Sequence, residues 1–395
     1  MPRGFDLLRV ALAIAVVVYH APNVTRGPSV PLGWAWLIGD SIVPSFFVVS
    51  GFLIAASAER RTLSEFLANR FLRIMPAFAV TIAVTALVIG PLFTNLPLAQ
   101  YFSAAAFRDY FLNLAGGLPT GLPGVFEGLP NSGMVNLSLW SIRWEVGCYL
   151  LIAAAAAAGA LKRPRLMILL CLAIILLPSA LDSARLGYHL LRPAVELAPI
   201  KPNGTYFRHP VETELQAYEG APLQVFVFFS GWYFRVVTFF ATGVIAWLLR
   251  GRIAYSPTAA LLSLAAVPLI SAAIPEGFSV ALSNLLLLVP LSYFVLVAGL
   301  SNLRLPRPFS NGDYSYGIYL FAFPVQQIVH LFGIDLGYWP LNALASLPVI
   351  VILAMLSWHL LERPILSRRT ALANRFSLAA ARGRGRSADA APMNA

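Results

Sequence analysis

The sequence predicts an all-α, polytopic membrane bundle of about ten transmembrane helices, and three observations predict it. Of its 395 residues, 58% are hydrophobic and only 11% charged, whereas a soluble domain carries roughly a quarter charged residues. The apolar residues gather into about ten runs of membrane length, each bounded by Pro, Gly or charge. The basic residues fall mainly in alternate gaps between those runs, the asymmetry that orients a chain in a bilayer. The net charge of +11 is scattered among the spans rather than gathered on one patch, so it implies orientation and no nucleic-acid partner. Cys148 and Cys171 both lie in apolar runs. No metal-ligand spacing, phosphate loop or dinucleotide fingerprint occurs, so neither a disulfide framework nor a metal site is indicated.

The first run, residues 6–22, lies in R-G-F-D-L-L-R-V-A-L-A-I-A-V-V-V-Y-H-A-P, Arg3 to Pro22. A helix there separates Arg9 from His20 by roughly 16 Å, about half the hydrocarbon thickness. Ionisable groups in a membrane helix are costly and point to function. The plainer reading is an orienting basic flank and a histidine satisfied by a neighbouring helix. No small-residue cleavage site follows, so this run is expected to remain as the first span. The second run, 40–57, contains F-F-V-V-S-G-F-L-I, Phe46 to Ile54. Ser50 and Gly51 there offer a small-residue surface, which more often serves packing than chemistry.

Arg70 and Arg73 in R-F-L-R-I-M-P lie three apart on one face of a short helix, with Pro76 near the start of the third run, 74–93. They suit either an interfacial anchor or a phosphate. Residues 94–140, rich in Gly, Pro and Asn, are too polar in parts to cross, and 98–115 are expected as an interfacial helix. The fourth run, 141–160, opens in N-L-S-L-W-S-I-R-W-E-V-G-C-Y, Asn136 to Tyr149. Glu145 enters the membrane there between Trp144 and Val146. An unpaired carboxylate would be expensive, so a partner is expected among His20, Arg143 and Arg235. Runs at 165–181, 225–249, 257–274 and 279–300 follow. The ninth, 313–333, contains S-Y-G-I-Y-L-F-A-F-P-V, Ser315 to Val325, and the tenth covers 340–361.

Placing the N-terminus in the cytoplasm puts twenty of the 28 Lys and Arg on the inner side, with both termini inside. Arg9, Arg70 and Arg73 then lie at the inner face, and His20 and Glu145 near the outer one. The outer loop 182–224 mixes Asp182, Glu196, Glu212, Glu214 and Glu219 with Arg185, Arg192, Lys201 and Arg208, a composition suited to solvent or to capping a site. Residues 1–365 are expected to form one membrane domain, and 366–395, without an apolar face, a disordered basic cytoplasmic tail.

Taken together, these strings resemble the membrane acyltransferase-3 family, from Arg3 to about Pro364. Arg9 and His20 match its basic-residue, ten, histidine motif, Arg70 and Arg73 its R-x-x-R, and S-L-W-S-I-R-W-E its segment ending in glutamate, here Glu145. F-R-V-V-T-F-F-A-T-G, Phe234 to Gly243, and W-H-L-L-E-R-P, Trp358 to Pro364, are also family-like. Where many relatives carry a histidine after S-Y-x-x-Y-L, this chain has Phe321 and Ala322, and His330 and His359 nearby are expected to be structural. The resemblance implies an O-acyltransferase of a bacterial inner membrane, without a fused esterase-like domain. It would move an acyl group, acetyl by family frequency, from acyl-coenzyme A to a sugar or other glycosylated acceptor. Acyl-coenzyme A is then a substrate, with no permanently bound cofactor. His20 is the expected general base and Glu145 its support. Arg70 and Arg73 would grip the donor's phosphates through guanidinium forks, with Arg9 beside them and Ser50 and Arg235 as possible supports. A flippase of a lipid-linked sugar, or a sensor without catalysis, is the competing reading; the former would favour inverted repeats, and none is evident between the two halves.

Overall fold

The computed structural model describes residues 4–27, 34–117, 119–191, 234–274, 280–303, 305–306, 309 and 311–368. These form an all-α bundle without a β-strand. The long helices are α1 (Gly4–Arg26), α2 (Trp34–Glu59) and α3 (Leu63–Val84), the last running on through a π-helical turn, Thr85–Ile89, to Phe93. Short helices α4 (Leu98–Ser103) and α5 (Ala105–Asp109) follow, then α6 (Trp140–Ala157), α7 (Pro164–Leu191), α8 (Arg235–Leu248) and α9 (Pro257–Ala273). The chain continues with α10 (Val280–Leu300), α11 (Ser315–Leu331), α12 (Trp339–Ser357) and, after a second π-helical turn at Trp358–Glu362, α13 (Arg363–Ser367). Among the described residues, 6 helices are long and apolar enough to cross a membrane. Three shorter apolar helices lie at Pro164–Leu177, Arg235–Leu248 and Pro257–Ala273. Within the described residues each expected run coincides with a helix, the run at 225–249 over Arg235–Leu248. Residues 225–233, Arg304, Arg307, most of the 182–224 loop and the tail from 369 lie outside the described residues.

The apolar side chains divide into two populations. Val48, Val49, Ile54, Phe66, Ile82, Val236 and Phe239 are fully enclosed, whereas Leu92, Leu169, Leu262, Leu269, Val289 and Leu344 face outward. A soluble protein would not present so many large exposed apolar side chains; on a bundle of this length they are the lipid-facing surface. Helix α1 runs through the interior, enclosed by α2, α10, α11 and α12.

Helices α2 and α8 cross at the glycines of their motifs. A Cβ on Gly51 would lie 2.0 Å from the Phe240 carbonyl oxygen, and one on Gly243 would lie 2.2 Å from that of Val48. Neither position has room for a side chain, as in the small-residue contacts of membrane helices. Gly243→Leu is therefore expected to force the pair apart at a cost of at least the 1–3 kcal/mol usual for overpacking. Thermal unfolding in detergent, followed by monodispersity, checks this; an unchanged midpoint would show that the crossing yields freely.

Two features depart from the sequence reading. The arginine pair lies inside α3 rather than on a separate short helix. Thr62 caps that helix by accepting from the Glu65 N–H, while the Glu65 carboxylate accepts from the Thr62 N–H. This capping box starts the helix before its apolar stretch begins, and Pro76 sits within it without ending it. Residues 98–115 are not one helix but α4, α5 and a 3₁₀ turn at Tyr110–Ala115, with Tyr101 Oη donating to the Ala86 carbonyl at 2.7 Å.

The segment that follows dips into the bundle. Pro324 inside α11 has no N–H, so the Leu320 carbonyl loses its intrahelical partner. Asn136 Nδ2 donates to that carbonyl at 2.9 Å. Tyr319 Oη donates to the Ser138 carbonyl at 2.8 Å and lies 2.7 Å from Ser141 Oγ. Helix α6 thus begins beside the second turn of α11, partway along the bundle, and not at its rim.

Candidate active site

Asp313, just before α11, gathers the basic motifs of α1 and α3. Arg9 Nη1 donates to Asp313 Oδ2 at 2.5 Å, and Arg73 Nη2 donates to the same oxygen at 2.6 Å. Ser315 Oγ donates to the other carboxylate oxygen at 2.7 Å. The second fork of Arg73 reaches Glu362 Oε2 at 2.7 Å, and Ser357 Oγ donates to Glu362 Oε1 at 3.1 Å. The π-helical turn at Trp358–Glu362 carries that carboxylate, and such turns recur at functional positions. The Arg73 guanidinium also lies over the rings of Tyr316 and Trp358, 5.7 and 5.6 Å from their centroids. Arg73 is accordingly saturated, by two carboxylates and two aromatic faces.

Arg70, one turn earlier on α3, has a different environment. Its guanidinium lies 5.8 Å from the centroid of the Tyr149 ring, and its Nε is buried with no hydrogen-bond partner. Tyr149 Oη donates a short hydrogen bond to Glu145 Oε1, one turn back on α6, and Ser50 of α2 flanks the same hydroxyl. Glu145 lies within the electrostatic reach of Arg9, Tyr316 and Tyr319. Arg70, Ser50, Glu145 and Tyr149 thus form a second polar group beside the Asp313 cluster, with two unmatched donors, Ser50 Oγ and the Nε of Arg70, the latter always cationic.

His20 lies far along α1 from both groups. The helix is antiparallel to α2: Phe5 stacks on Phe52 at 5.4 Å, whereas Val16 packs against Ile42. Ten residues lie between Arg9 and His20, and the helix rises roughly 16 Å from one to the other. The imidazole is buried, meets the Phe323 ring edge-on at 5.4 Å, and lies 5.5 Å from the Tyr19 ring. Its Nδ1 has no hydrogen-bond partner.

The structure therefore joins Arg9 to Arg73 through Asp313, and groups Arg70 with Ser50 and Glu145. It does not join Glu145 to His20 or to Arg235. Sequence position set Glu145 at the outer rim with His20. In the structure the inward dip before α6 carries it down to the level of Arg9, where a tyrosine serves as its hydrogen-bond partner. Arg235 is buried in the first turn of α8, next to the contact of Phe234 with Trp144, whose rings lie 6.1 Å apart. Ala322 is fully buried in the apolar contact of α1 with α11.

Two further histidines, His330 and His359, have structural partners. His330 Nδ1 lies 3.0 Å from the fully buried Asp335, which also accepts from Gly337 N–H and Asn342 Nδ2. His359 Nε2 lies 3.1 Å from Tyr314 Oη. Among the described residues no group of His, Cys, Asp and Glu is arranged to hold a metal ion.

Sequence reading passed over Asp313 and Tyr149. The first was signalled weakly by a carboxylate at the entrance of a span in a chain with only 17 Asp and Glu. The second was signalled by its i+4 spacing from Glu145.

Comparison with known proteins adds an independent line. The family model described as Acyltransferase domain matches residues 3–359. An O-acetyl transferase of Shigella phage Sf6 is 26% identical over 372 residues, covering 92% of this chain and 96% of that protein. Nodulation protein 10 of Rhizobium leguminosarum bv. viciae is 29% identical over 393 residues, covering 95% and 96%. No solved structure matches the chain.

Proposed function

The chain belongs to this acyltransferase family and is an O-acyltransferase, and from that premise we propose the donor, the acceptor and the path between them. The donor is cytoplasmic acyl-coenzyme A, carrying acetyl. The acceptor is a hydroxyl of a sugar or glycan, and the setting a bacterial inner membrane with both chain termini in the cytoplasm. The distribution of Lys and Arg supports that orientation, and the printed name of the phage relative supports acetyl.

One observation carries the reading: a single interior helix, α1, has a guanidinium cluster at one end and a buried imidazole at the other. The arginine end faces the cytoplasm and receives the donor's phosphates. Arg73 and Arg9 are held by Asp313, so the direct contact falls to Arg70, whose Nε is unmatched. Arg73 and Arg9 position the site and supply positive field. Glu145, with Tyr149 and Ser50, lines the path of the pantetheine arm, which carries the thioester along α1 toward His20.

At His20 the chemistry is a balanced acyl transfer. The acceptor oxygen attacks the thioester carbonyl carbon while its proton passes to the imidazole. The tetrahedral intermediate collapses, the C–S bond breaks, and the ester remains on the acceptor. The coenzyme A thiolate leaves and takes the proton from His20, which returns to its starting form.

Transfer of label from radioactive acetyl-coenzyme A in membranes carrying the chain tests the reading, and its arginine assignment makes the test sharp. Arg70→Ala is expected to raise the half-saturating donor concentration by about one to two decades, given roughly 1.5–3 kcal/mol for a charge-assisted hydrogen bond, with little change in thermal stability. Arg73→Ala is expected to lower stability first, because it leaves Glu362 buried without its cation. Unchanged donor saturation in Arg70→Ala would remove that residue from the donor site.

A further inference from the structure

We propose that the amide cluster beside His20, where α1, α11 and the 119–139 segment meet, is the subsite that holds a polyhydroxylated acceptor. The inference rests on the acyl-transfer reading above and adds to it the location and residues of acceptor binding.

The cluster is built from three elements. On α1, His20 and Asn23 lie three residues apart on one face. On α11, Gln327 lies one turn beyond Phe323, the residue whose ring meets His20. Asn131 bridges them: its Nδ2 donates to the Asn23 carbonyl at 2.6 Å, and its own carbonyl accepts from Gln327 Nε2 at 3.3 Å. Gln327 Nε2 also donates to the Met134 carbonyl at 2.9 Å. The neighbouring Gln326 donates to the Val17 carbonyl at 2.8 Å, one turn before His20, and to Asn342 Oδ1 at 3.1 Å.

These side chains are enclosed, yet each retains an unmatched polar atom. Asn23 is 2% exposed and both glutamines 0%. Asn23 Nδ2, Gln326 Oε1, Gln327 Oε1 and His20 Nδ1 all lack a hydrogen-bond partner. A buried polar group left unpaired costs about 1–3 kcal/mol, and native interiors leave few of them. Four such atoms within about two turns of two adjacent helices are a concentration that packing alone does not explain, since Ala or Leu would fill the same volume without the cost.

Their chemistry selects the ligand. The set offers an amide donor, two amide acceptors and a ring nitrogen that serves as either, and none of these four atoms belongs to a carboxylate or a guanidinium; Arg26, three residues past Asn23 in the last turn of α1, is exposed. A hydroxyl both donates and accepts, so adjacent hydroxyls of a sugar satisfy an amide N–H and an amide carbonyl together. The cluster also lies toward the end of α1 opposite Arg9 and the Asp313 group, so donor and acceptor would approach His20 from opposite directions. Asn23 and Gln327 are then positioning residues, which set the acceptor oxygen against the base.

The test uses membranes carrying the full chain, radioactive acetyl-coenzyme A, and the total glycan fraction extracted from source cells lacking the gene, which holds the unacylated acceptor. Asn23→Ala and Gln327→Met are each expected to raise the half-saturating amount of that fraction about tenfold, the equivalent of one lost hydrogen bond. The half-saturating acetyl-coenzyme A concentration should stay unchanged, so that the effect falls on the acceptor alone. Asn23→Ser, which keeps a short donor, should give an intermediate value and serves if Asn23→Ala fails to accumulate. Equal changes for donor and acceptor, or no change for the acceptor, overturn the proposal. No labelled glycan with the unaltered chain would instead count against the acyl-transfer reading itself.

Discussion

His20→Ala is expected to lower acyl transfer by about 10²- to 10⁴-fold, the usual cost of losing a general base, while the protein accumulates in the membrane at near-normal level. The imidazole's neighbours are the Phe323 and Tyr19 rings, and its Nδ1 bonds to nothing. Its removal therefore breaks no hydrogen-bond network and leaves only a cavity. Donor saturation should be unaffected, because the arginines lie roughly 16 Å away along the same helix. The measurement is label transfer at saturating donor, normalised to protein in the membrane. Retention of most of the activity would remove His20 from the chemistry, whatever the variant's stability.

The second large effect is expected at Asp313, a residue that no sequence motif singled out. One of its oxygens receives hydrogen bonds from both Arg9 and Arg73, so Asp313→Ala leaves Arg73 with Glu362 and Arg9 with only the longer-range pull of Asp6 and Glu145. Removing one partner of a buried ion pair costs about 3–5 kcal/mol. Here about a quarter of each of the Arg9 and Asp313 side chains is exposed, 25% and 26%, and solvent screening reduces the cost.

A fall in the thermal midpoint and a rise in half-saturating donor are expected together, because the same carboxylate braces the fold and the donor site. Adding Arg9→Gln to Asp313→Ala should recover part of the lost stability, since it removes one unpaired charge; contacting residues of this kind are not additive. A strictly additive double variant, or an Asp313→Ala protein of normal stability, would show that the three-way bridge contributes little.

The sequence by itself determined the fold class and the order and approximate limits of the helices. Those properties follow from local composition. A run of apolar residues satisfies its backbone only as a helix in lipid, and short motifs such as the Arg9–His20 pair keep their spacing on any helix. It also read Ser50 and Gly51 as a small-residue surface; Gly51 packs at the crossing of α2 on α8, whereas Ser50 lies beside the Tyr149 hydroxyl.

Only the tertiary structure decided which of those residues meet. The Arg73–Asp313 and Arg9–Asp313 bonds span sequence separations of 240 and 304 residues, and nothing in local hydropathy specifies them. It likewise separated Arg70 from Arg73, neighbours on one helix face with opposite states of saturation. Glu145 shows the physical reason most plainly. Hydropathy treats each helix as starting at a membrane surface, so it set Glu145 level with His20. The 119–139 segment instead follows the carbonyl that Pro324 leaves unpaired, and its Asn136 satisfies that group inside the bundle. The depth at which α6 begins, and with it the surroundings of Glu145, is thus fixed by a hydrogen bond between elements 184 residues apart.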